Sequence, residues 1–315
     1  MDYVFTARSV SDGAFGIKPG PTKFLRVPPG KKTHTPDMAI RQRDWFDAVT
    51  AEAETGRDPA TGQPVGDVLI YIHGFNVDLT TMMTRHRLIR KGLEGLGYRG
   101  AVVSFDWPCA DTALNYLPDR TSAKLTAIRL VTDAIRPMSR YMNQECRINI
   151  HVLAHSMGAY VVREAFDDAD DRPAVAATSW SVSQLMFCAA DVSSDSLGTT
   201  AKSSSLYRHC VRFTNYWNPY DAVLSISNVK RVGVSPRAGR IGLPADAPPK
   251  AVSVDCGRYY DTHREDFAGI PNADHSWYFH DATFLKDVWL TIGGEIDRHV
   301  FPTRYHEAGR LHLKP

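Results

Sequence analysis

The sequence lacks the features that would suggest a disulfide-stabilised or zinc-binding protein. Only five of its 315 residues are cysteines, and no two of them form a Cys-x-x-Cys pair. An odd number of widely spaced thiols favours neither a disulfide framework nor a zinc site. Free thiols are typical of a reducing compartment. We therefore expect five unpaired cysteines: Cys109, Cys146, Cys188, Cys210 and Cys256.

Long apolar runs and an excess of one charge are also absent. No stretch approaches the roughly 18 continuous apolar residues of a membrane span. The N-terminal sequence MDYVFTARSVSDG lacks the basic and apolar regions of a secretory signal. The 37 basic and 35 acidic residues give a net charge of +2, which gives no reason to expect nucleic acid or an anionic membrane as a partner. We expect a cytoplasmic protein that acts on a small molecule.

The pattern of the sequence changes after Gly66. Residues 1–66 are rich in proline, glycine and charge, with one candidate helix at Met38–Glu54, and they predict an N-terminal arm packed on the main domain. Residues 67–315 form the predicted main domain, in which apolar runs alternate with helical patterns. Six runs predict strands: Asp67–His73, Ala101–Trp107, Arg147–Ala154, Gln184–Ala190, Cys210–Trp217 and Ala251–Asp255.

Between these strands, apolar residues recur at helical spacing. The predicted helices are Leu79–Leu96, Thr121–Met142 with a kink at Pro137, Gly158–Phe166, and Ala282–Ile292. Strands that alternate with helices indicate an α/β fold, with a mostly parallel sheet covered by helices on both faces. In such sheets functional sites form at the carboxyl ends of the strands.

One of these strand ends carries a motif with a known mechanical role. Ala154-His155-Ser156-Met157-Gly158 is a G-x-S-x-G nucleophile elbow with alanine in the first glycine position. The elbow is a strained strand-to-helix turn that raises the serine hydroxyl above the sheet of an α/β-hydrolase. An apolar strand precedes the motif and a helical pattern follows it, as the motif requires. The sequence therefore predicts an α/β-hydrolase fold with Ser156 as the nucleophile.

The segment His73-Gly74-Phe75-Asn76 follows the first predicted strand of the main domain. An oxyanion hole in this fold uses two backbone N–H groups, one from the residue after the nucleophile and one from a loop after an earlier strand. Met157 and Phe75 are in those positions. Asn76 is a candidate to fix the loop or to donate a side-chain bond. The alternative is an ordinary turn at the end of a strand.

A serine hydroxyl needs a general base, and the base needs an orienting carboxylate. In this fold the acid and then the histidine follow the serine in the chain. Asp221, in the turn NPYDAV, is the favoured acid, and Asp191 or Asp195 is the alternative. His275 is the favoured base because it lies in a loop directly before the last helix. The other candidate histidines are His263, His280, His299, His306 and His312.

Three further segments bear on the shape of the site. Trp107, in the FDWP turn, either lines the pocket or belongs to the core. Residues 191–209 are serine-rich and lack the apolar face of a lipase lid, which favours an open site and a small ester. The aromatic residues of Arg258–Phe279 either wall the acyl pocket or are simply packed.

Several of these motifs resemble a group of bacterial α/β-hydrolases of the esterase/lipase superfamily whose function is not defined. The resemblance runs from about residue 68 to residue 280 through IYIHGFN, SFDWP, LAHSMG, YDAVLSIS, PRAGRIG and DHSWYF. It implies the hydrolase fold and a triad of Ser156, Asp221 and His275. It also carries Phe75 and Met157 over as oxyanion-hole residues, but it implies no substrate.

These residues predict a two-step acyl transfer that cleaves a carboxylic ester through an acyl-enzyme. This chemistry requires no metal and no organic cofactor. The same triad would serve an amidase or peptidase, or an acyltransferase. A scaffold that binds a ligand or protein without catalysis is the alternative of another class.

Overall fold

A twelve-stranded sheet forms the centre of the computed structural model, which describes residues 1–110, 116–139, 147–199, 204–229, 236–294 and 299–315. Within these ranges the strands are β1 Asp2–Ser11, β2 Ala14–Val27, β3 Ala39–Ile40, β4 Glu54–Arg57, β5 Pro64–Ile72, β6 Ala101–Asp106, β7 Arg147–His155, β8 Val182–Cys188, β9 Cys210–Trp217, β10 Ala251–Asp255, β11 Arg304–Glu307 and β12 Arg310–Leu313. Their order across the sheet is β11-β12-β10-β9-β8-β7-β5-β6-β1-β2-β3, and β4 pairs with β5.

Along this order, every pair of neighbouring strands between β12 and β1 is parallel. Within the described ranges, the antiparallel pairs of strands are β1–β2, β2–β3, β4–β5 and β11–β12. The central strands are buried on both faces, as the continuous apolar run Leu69–Ile72 illustrates. Parallel strands with two covered faces require such runs. The predicted fold class, a mostly parallel sheet with helices on both faces, is confirmed.

Helices cover both faces of the sheet. Their bounds are α1 Gln42–Ala53, α2 Leu79–Gly95, α3 Tyr116–Arg129, α4 Met157–Asp170, α5 Pro173–Ala176, α6 Ser204–Arg208, α7 Ala222–Val229, α8 Ala238–Ile241, α9 Gly257–Thr262, α10 Ala273–Ser276 and α11 Ala282–Gly293, with 3-10 turns at Pro36–Met38, Asp195–Leu197 and Trp277–His280. Helices α1, α3, α4 and α6 bury their apolar residues on one face. Helices α2, α9 and α11 pack on the other.

The six strands predicted in the main domain correspond to β5 through β10, and their ends differ by up to three residues. The long helix predicted at Thr121–Met142 is α3 followed by a π-helical segment at Leu130–Ile135. Leu125, expected on its apolar side, is exposed. Met142 lies outside the described residues, as does Cys146. The four cysteines within the described ranges are buried free thiols.

Two parts of the sheet were not predicted. The sequence pattern predicted one helix and no strand in residues 1–66, yet β1 pairs in parallel with β6 from Tyr3↔Val103 to Thr6↔Asp106. At the other edge β11 and β12 form a hairpin, and β12 pairs with β10. The division predicted at residue 66 thus falls inside one continuous sheet. Among the described helices, none is sufficiently long and apolar to cross a membrane.

Candidate active site

Ser156 lies at the sharp turn between β7 and α4. Its backbone angles are φ 55° and ψ −122°, outside the regions that L-residues favour, as the nucleophile elbow requires. Gly158 must lack a side chain, because a Cβ there would lie 2.5 Å from the Ile72 carbonyl oxygen. Two hydrogen bonds hold the turn against the end of β8: the Ser156 amide donates to Cys188 O and the Asp191 amide donates to Ser156 O.

The loop His73–Asn76 lies directly against this turn. A Cβ on Gly74 would be 2.8 Å from the Ser156 Cβ, so only glycine permits the observed approach. Phe75 is half-buried and packs on the core. Asn76 is exposed and has φ 55°, a left-handed conformation that asparagine tolerates. Met157 begins helix α4, where backbone N–H groups have no partner within the helix. The predicted oxyanion residues therefore come from the two segments that meet at Ser156.

His275 and Asp221 form a buried pair. His275 Nδ1 donates to Asp221 Oδ2 over 2.7 Å, and His275 is 7% exposed while Asp221 is fully buried. The other carboxylate oxygen of Asp221 accepts from the Leu224 amide at the start of α7, over 2.8 Å. That second bond fixes the carboxylate, which in turn fixes the tautomer of the imidazole with a proton on Nδ1.

The short helix that carries His275 is braced by three polar contacts. His155, the residue before Ser156, donates from Nε2 to the His275 carbonyl oxygen over 2.8 Å. Asn218 donates from its side chain to the Asp274 carbonyl oxygen over 2.8 Å. The Asp274 carboxylate accepts from the Ala222 amide over 2.6 Å. These bonds join the segment of His275 to the turn of Ser156 and to the turn that carries Asp221. No sequence pattern predicted a role in the site for His155, Asn218 or Asp274.

Helix α2 contacts the same segment. Arg85 donates to Ser276 Oγ over 3.0 Å, and its guanidinium lies over the Phe279 ring at 5.0 Å. Burial lowers the pKa of His155 well below its ordinary value, and the nearby Arg85 charge lowers it further. His155 is therefore a neutral imidazole at neutral pH. Its proton is on Nε2, because that nitrogen faces a carbonyl oxygen.

Comparison with known proteins identifies the family. A family model described as an α/β hydrolase of unknown function (DUF900) matches residues 51–254. The chain belongs to this family. No curated protein sequence matches it.

Solved structures similar to this DUF900 chain include two from bacteria. A hydrolase from Oleispira antarctica is 12% identical, with a TM-score of 0.40, covering 79% of this chain and 98% of its own. An inhibited esterase B from Lactobacillus rhamnosis is 11% identical, with a TM-score of 0.39, covering 80% of this chain and 93% of its own.

Asp191, the alternative triad acid of this DUF900 chain, has a different partner from Asp221. Asp191 is buried and forms an ion pair with Arg237, with 2.9 Å between Oδ1 and Nε. Arg237 lies in the PRAGRIG segment, whose backbone runs along the end of β8: Gly239 N donates to Ala190 O, and Ala238 N donates to Val192 O. Asp195, the other alternative, is exposed in a 3-10 turn. Asp221 is thus the aspartate that faces His275.

The other candidate histidines have other surroundings. His263 stacks on Tyr259, His299 and His306 stack on each other, and His312 lies 3.7 Å from Asp255. His280 is exposed. The aromatic residues expected to wall a pocket or to pack are all buried. Five of them lie stacked or tilted against one another, and Phe284 of α11 meets two of these rings edge-on: Tyr259, Tyr260, Phe267, Trp277 and Tyr278. Phe279 instead lies edge-on to Tyr71 and His155.

Trp107 belongs to the core. It is fully buried, its ring lies parallel to that of His73 at 5.3 Å, and its Nε1 donates to the His73 carbonyl oxygen over 2.8 Å. These contacts agree with the second of the two interpretations made from the sequence. They hold His73, the first residue of the loop beside Ser156, instead of shaping an open pocket. The serine-rich segment 191–209 is described except for residues 200–203.

Proposed function

We propose that this protein is a serine hydrolase that cleaves a carboxylic ester through an acyl-enzyme formed on Ser156. The observation that carries the proposal is the His275–Asp221 pair, joined to the elbow through His155, the neighbour of Ser156. A hydroxyl on a strained turn, a base with a fixed tautomer and two backbone amides from converging segments are the parts that acyl transfer requires.

In the proposed mechanism His275 Nε2 removes the proton of Ser156 as the hydroxyl oxygen attacks the ester carbonyl carbon. Asp221 keeps the imidazole oriented and stabilises the imidazolium. The amides of Phe75 and Met157 bind the negative charge that develops on the carbonyl oxygen. The alcohol leaves with the proton from His275, and water then enters by the same route to release the acid and free Ser156.

The sequence of residues 191–209 supports a small or medium ester, because this segment lacks the apolar face of a lid. p-Nitrophenyl esters of two to twelve carbons and matched p-nitroanilides test both the chain length and the bond. We expect hydrolysis of the shorter esters and little of the anilides. Hydrolysis of anilides alone would contradict the ester assignment and favour an amidase.

Variants measured in the same assay test which residues act as the nucleophile and the acid. Ser156→Ala should lower kcat by up to about 10⁶ and Asp221→Asn by about 10⁴. Ser104→Ala, a buried serine of β6 whose hydroxyl is bonded to His86, is the control and should keep kcat. Asp191→Asn leaves Arg237 without its partner and should mainly reduce stability. A larger loss of kcat in Asp191→Asn than in Asp221→Asn would refute the choice of acid.

A further inference from the structure

A buried aspartate at the end of β6 accepts several hydrogen bonds from residues of the N-terminal region. Asp106 is fully buried. It accepts from Thr6 Oγ1 over 2.8 Å, from Arg8 Nε over 2.9 Å, from His34 Nε2 over 3.0 Å and from His73 Nε2 over 3.2 Å. Three of these four donors precede residue 35, and the fourth is the first residue of the oxyanion loop. We call these five residues the Asp106 network.

His73 occupies its position as an imidazolium. Its Nδ1 faces the Gly74 carbonyl oxygen at 2.8 Å, and its Nε2 faces Asp106. Because both ring nitrogens face acceptors, the ring satisfies both contacts only when both nitrogens carry protons. Burial lowers the pKa of His73, but the hydrogen bonds with Asp106 and Cys109 outweigh it and raise the pKa to about 9. The loop therefore begins with a charged side chain bonded to Asp106.

Arg8 extends the same network to the far end of the loop. Its Nη1 donates to the Cys109 carbonyl oxygen over 3.0 Å and to Gly16 O over 3.3 Å. The Cys109 thiol donates to the Val77 carbonyl oxygen over 3.4 Å. Val77 directly follows the loop, so the loop is held at both ends through Arg8 and Asp106.

The contact between Gly74 and Ser156 leaves little tolerance for movement. A Cβ on Gly74 would be 2.8 Å from Ser156 Cβ and 3.1 Å from His155 Nδ1. Misplacement of a reacting group by about 1 Å can cost roughly 10²-fold in rate. Whatever holds His73 and Val77 therefore also sets the position of the Phe75 amide relative to the nucleophile.

We propose that Thr6, Arg8 and His34 are positioning residues, which act through Asp106 to hold the oxyanion loop against Ser156. The inference rests on the proposed function, since it gives that loop its task. All three residues precede the region that the family model matches, 51–254. The N-terminal strands would thus help to form the active site. In the proposed mechanism none of these three side chains contacts the substrate.

A second buried network in the same molecule provides matched controls. Asp287 of α11 accepts from Arg304 Nε over 2.8 Å, from Thr303 Oγ1 over 2.5 Å and from Tyr216 OH over 2.6 Å. Each residue of the set Arg304, Thr303 and Asp287 is at most 5% exposed, as is each of Arg8, Thr6 and Asp106. We call this group, with Thr291, the Asp287 network. Its described donors tie the C-terminal hairpin to the sheet and to α11.

The test compares Arg8→Gln with Arg304→Gln, and Thr6→Val with Thr303→Val, in the full chain. For each variant kcat and KM on the best ester, Tm, and amide hydrogen exchange of residues 73–77 are measured. We expect Arg8→Gln to lower kcat by roughly tenfold or more and Thr6→Val by about two- to threefold, with KM within about twofold. Arg304→Gln and Thr303→Val should lower Tm by similar amounts and leave kcat within about twofold.

Exchange at residues 73–77 should rise only in the Arg8 and Thr6 variants. The proposal is overturned if these variants keep wild-type kcat and exchange, or if the two control variants lose as much kcat. Should Arg8→Gln fail to fold, Thr6→Val decides alone. If the wild-type chain hydrolyses no ester, the proposed function fails, and exchange in Arg8→Gln against Arg304→Gln still decides whether the network positions the loop.

Discussion

The Asp106 and Asp287 networks are built from the same groups and differ in what they hold. Each has a buried aspartate, a buried arginine and a threonine hydroxyl. The Asp106 network adds two histidines, one of which begins the loop beside Ser156. The Asp287 network adds hydroxyl groups from β9 and α11, Tyr216 and Thr291.

This difference shows that a buried ion pair alone does not mark a functional site. Both clusters satisfy charges that would otherwise be costly to bury. Only the Asp106 network ends on the backbone segment that faces the proposed nucleophile. A positioning role differs from a purely structural one in which segment the hydrogen bonds hold. The number and the burial of those bonds do not distinguish the two roles.

The largest expected effect follows from removing either central carboxylate. Burial raises the pKa of Asp106, but the Arg8 charge and the bonds from His34 and His73 outweigh it and hold that pKa well below its ordinary value. Asp106→Asn therefore removes a negative charge and leaves buried cations. We expect Asp106→Asn and Asp287→Asn each to lose about 3–5 kcal/mol in urea unfolding. Only Asp106→Asn should also lower kcat per folded molecule. An equal loss of kcat in both variants would show that the two networks do not differ in their effect on the site.

The two networks should also differ in their response to alkaline pH. His73 has a raised pKa of about 9, so its contribution to stability is complete below pH 6.5 and is lost as the pH rises through about 9. That contribution is at most about 3 kcal/mol. The groups that face the ring are Asp106, the Cys109 thiol, the Gly74 carbonyl oxygen and the Trp107 ring.

Urea unfolding between pH 7 and pH 10 measures this response. The wild-type free energy of unfolding should fall more steeply than that of His73→Gln, whereas Arg304→Gln, altered in the other network, should keep the wild-type slope. Parallel profiles for the wild type and His73→Gln would show that the imidazolium contributes nothing.

A smaller effect is expected from filling the space between loop and nucleophile. Gly74→Ala should lower kcat by about ten- to a hundredfold, because the added methyl pushes the loop away from Ser156. Gly95→Ala, at the end of α2 where a Cβ meets nothing within 4 Å, is the control and should be stabilised by up to about 1 kcal/mol. Unchanged kcat in Gly74→Ala would mean that the loop tolerates displacement.

The central strands could be predicted because their chemistry is local. β5, β6 and β8 contain the buried apolar runs Val68–Ile72, Ala101–Val103 and Leu185–Cys188, and any strand buried on both faces must have such runs. The strands that extend the sheet on either side of this centre lack this signal. β1 contains Thr6 and Arg8, whose burial is compatible with a strand only because Asp106, about a hundred residues away, accepts their hydrogen bonds. β12 has only four residues.

The candidate site divides in the same way. Ser156 follows from the elbow pattern, which encodes one turn of backbone. The pairing of His275 with Asp221, and of Asp191 with Arg237, depends on where distant turns meet, so the sequence alone left both acids open. His155 occupies a position of the motif that accepts any residue, and its bond to His275 O has no sequence signature.

Covalent labelling with a fluorophosphonate, followed by mass spectrometry of the modified peptide, tests the account most directly. We expect modification of Ser156 in the native chain, none at that peptide in Ser156→Ala or after denaturation, and labelling slowed by several orders of magnitude in His275→Ala. Modification of a different serine, or equal labelling of Ser156 in the wild type and His275→Ala, would contradict it.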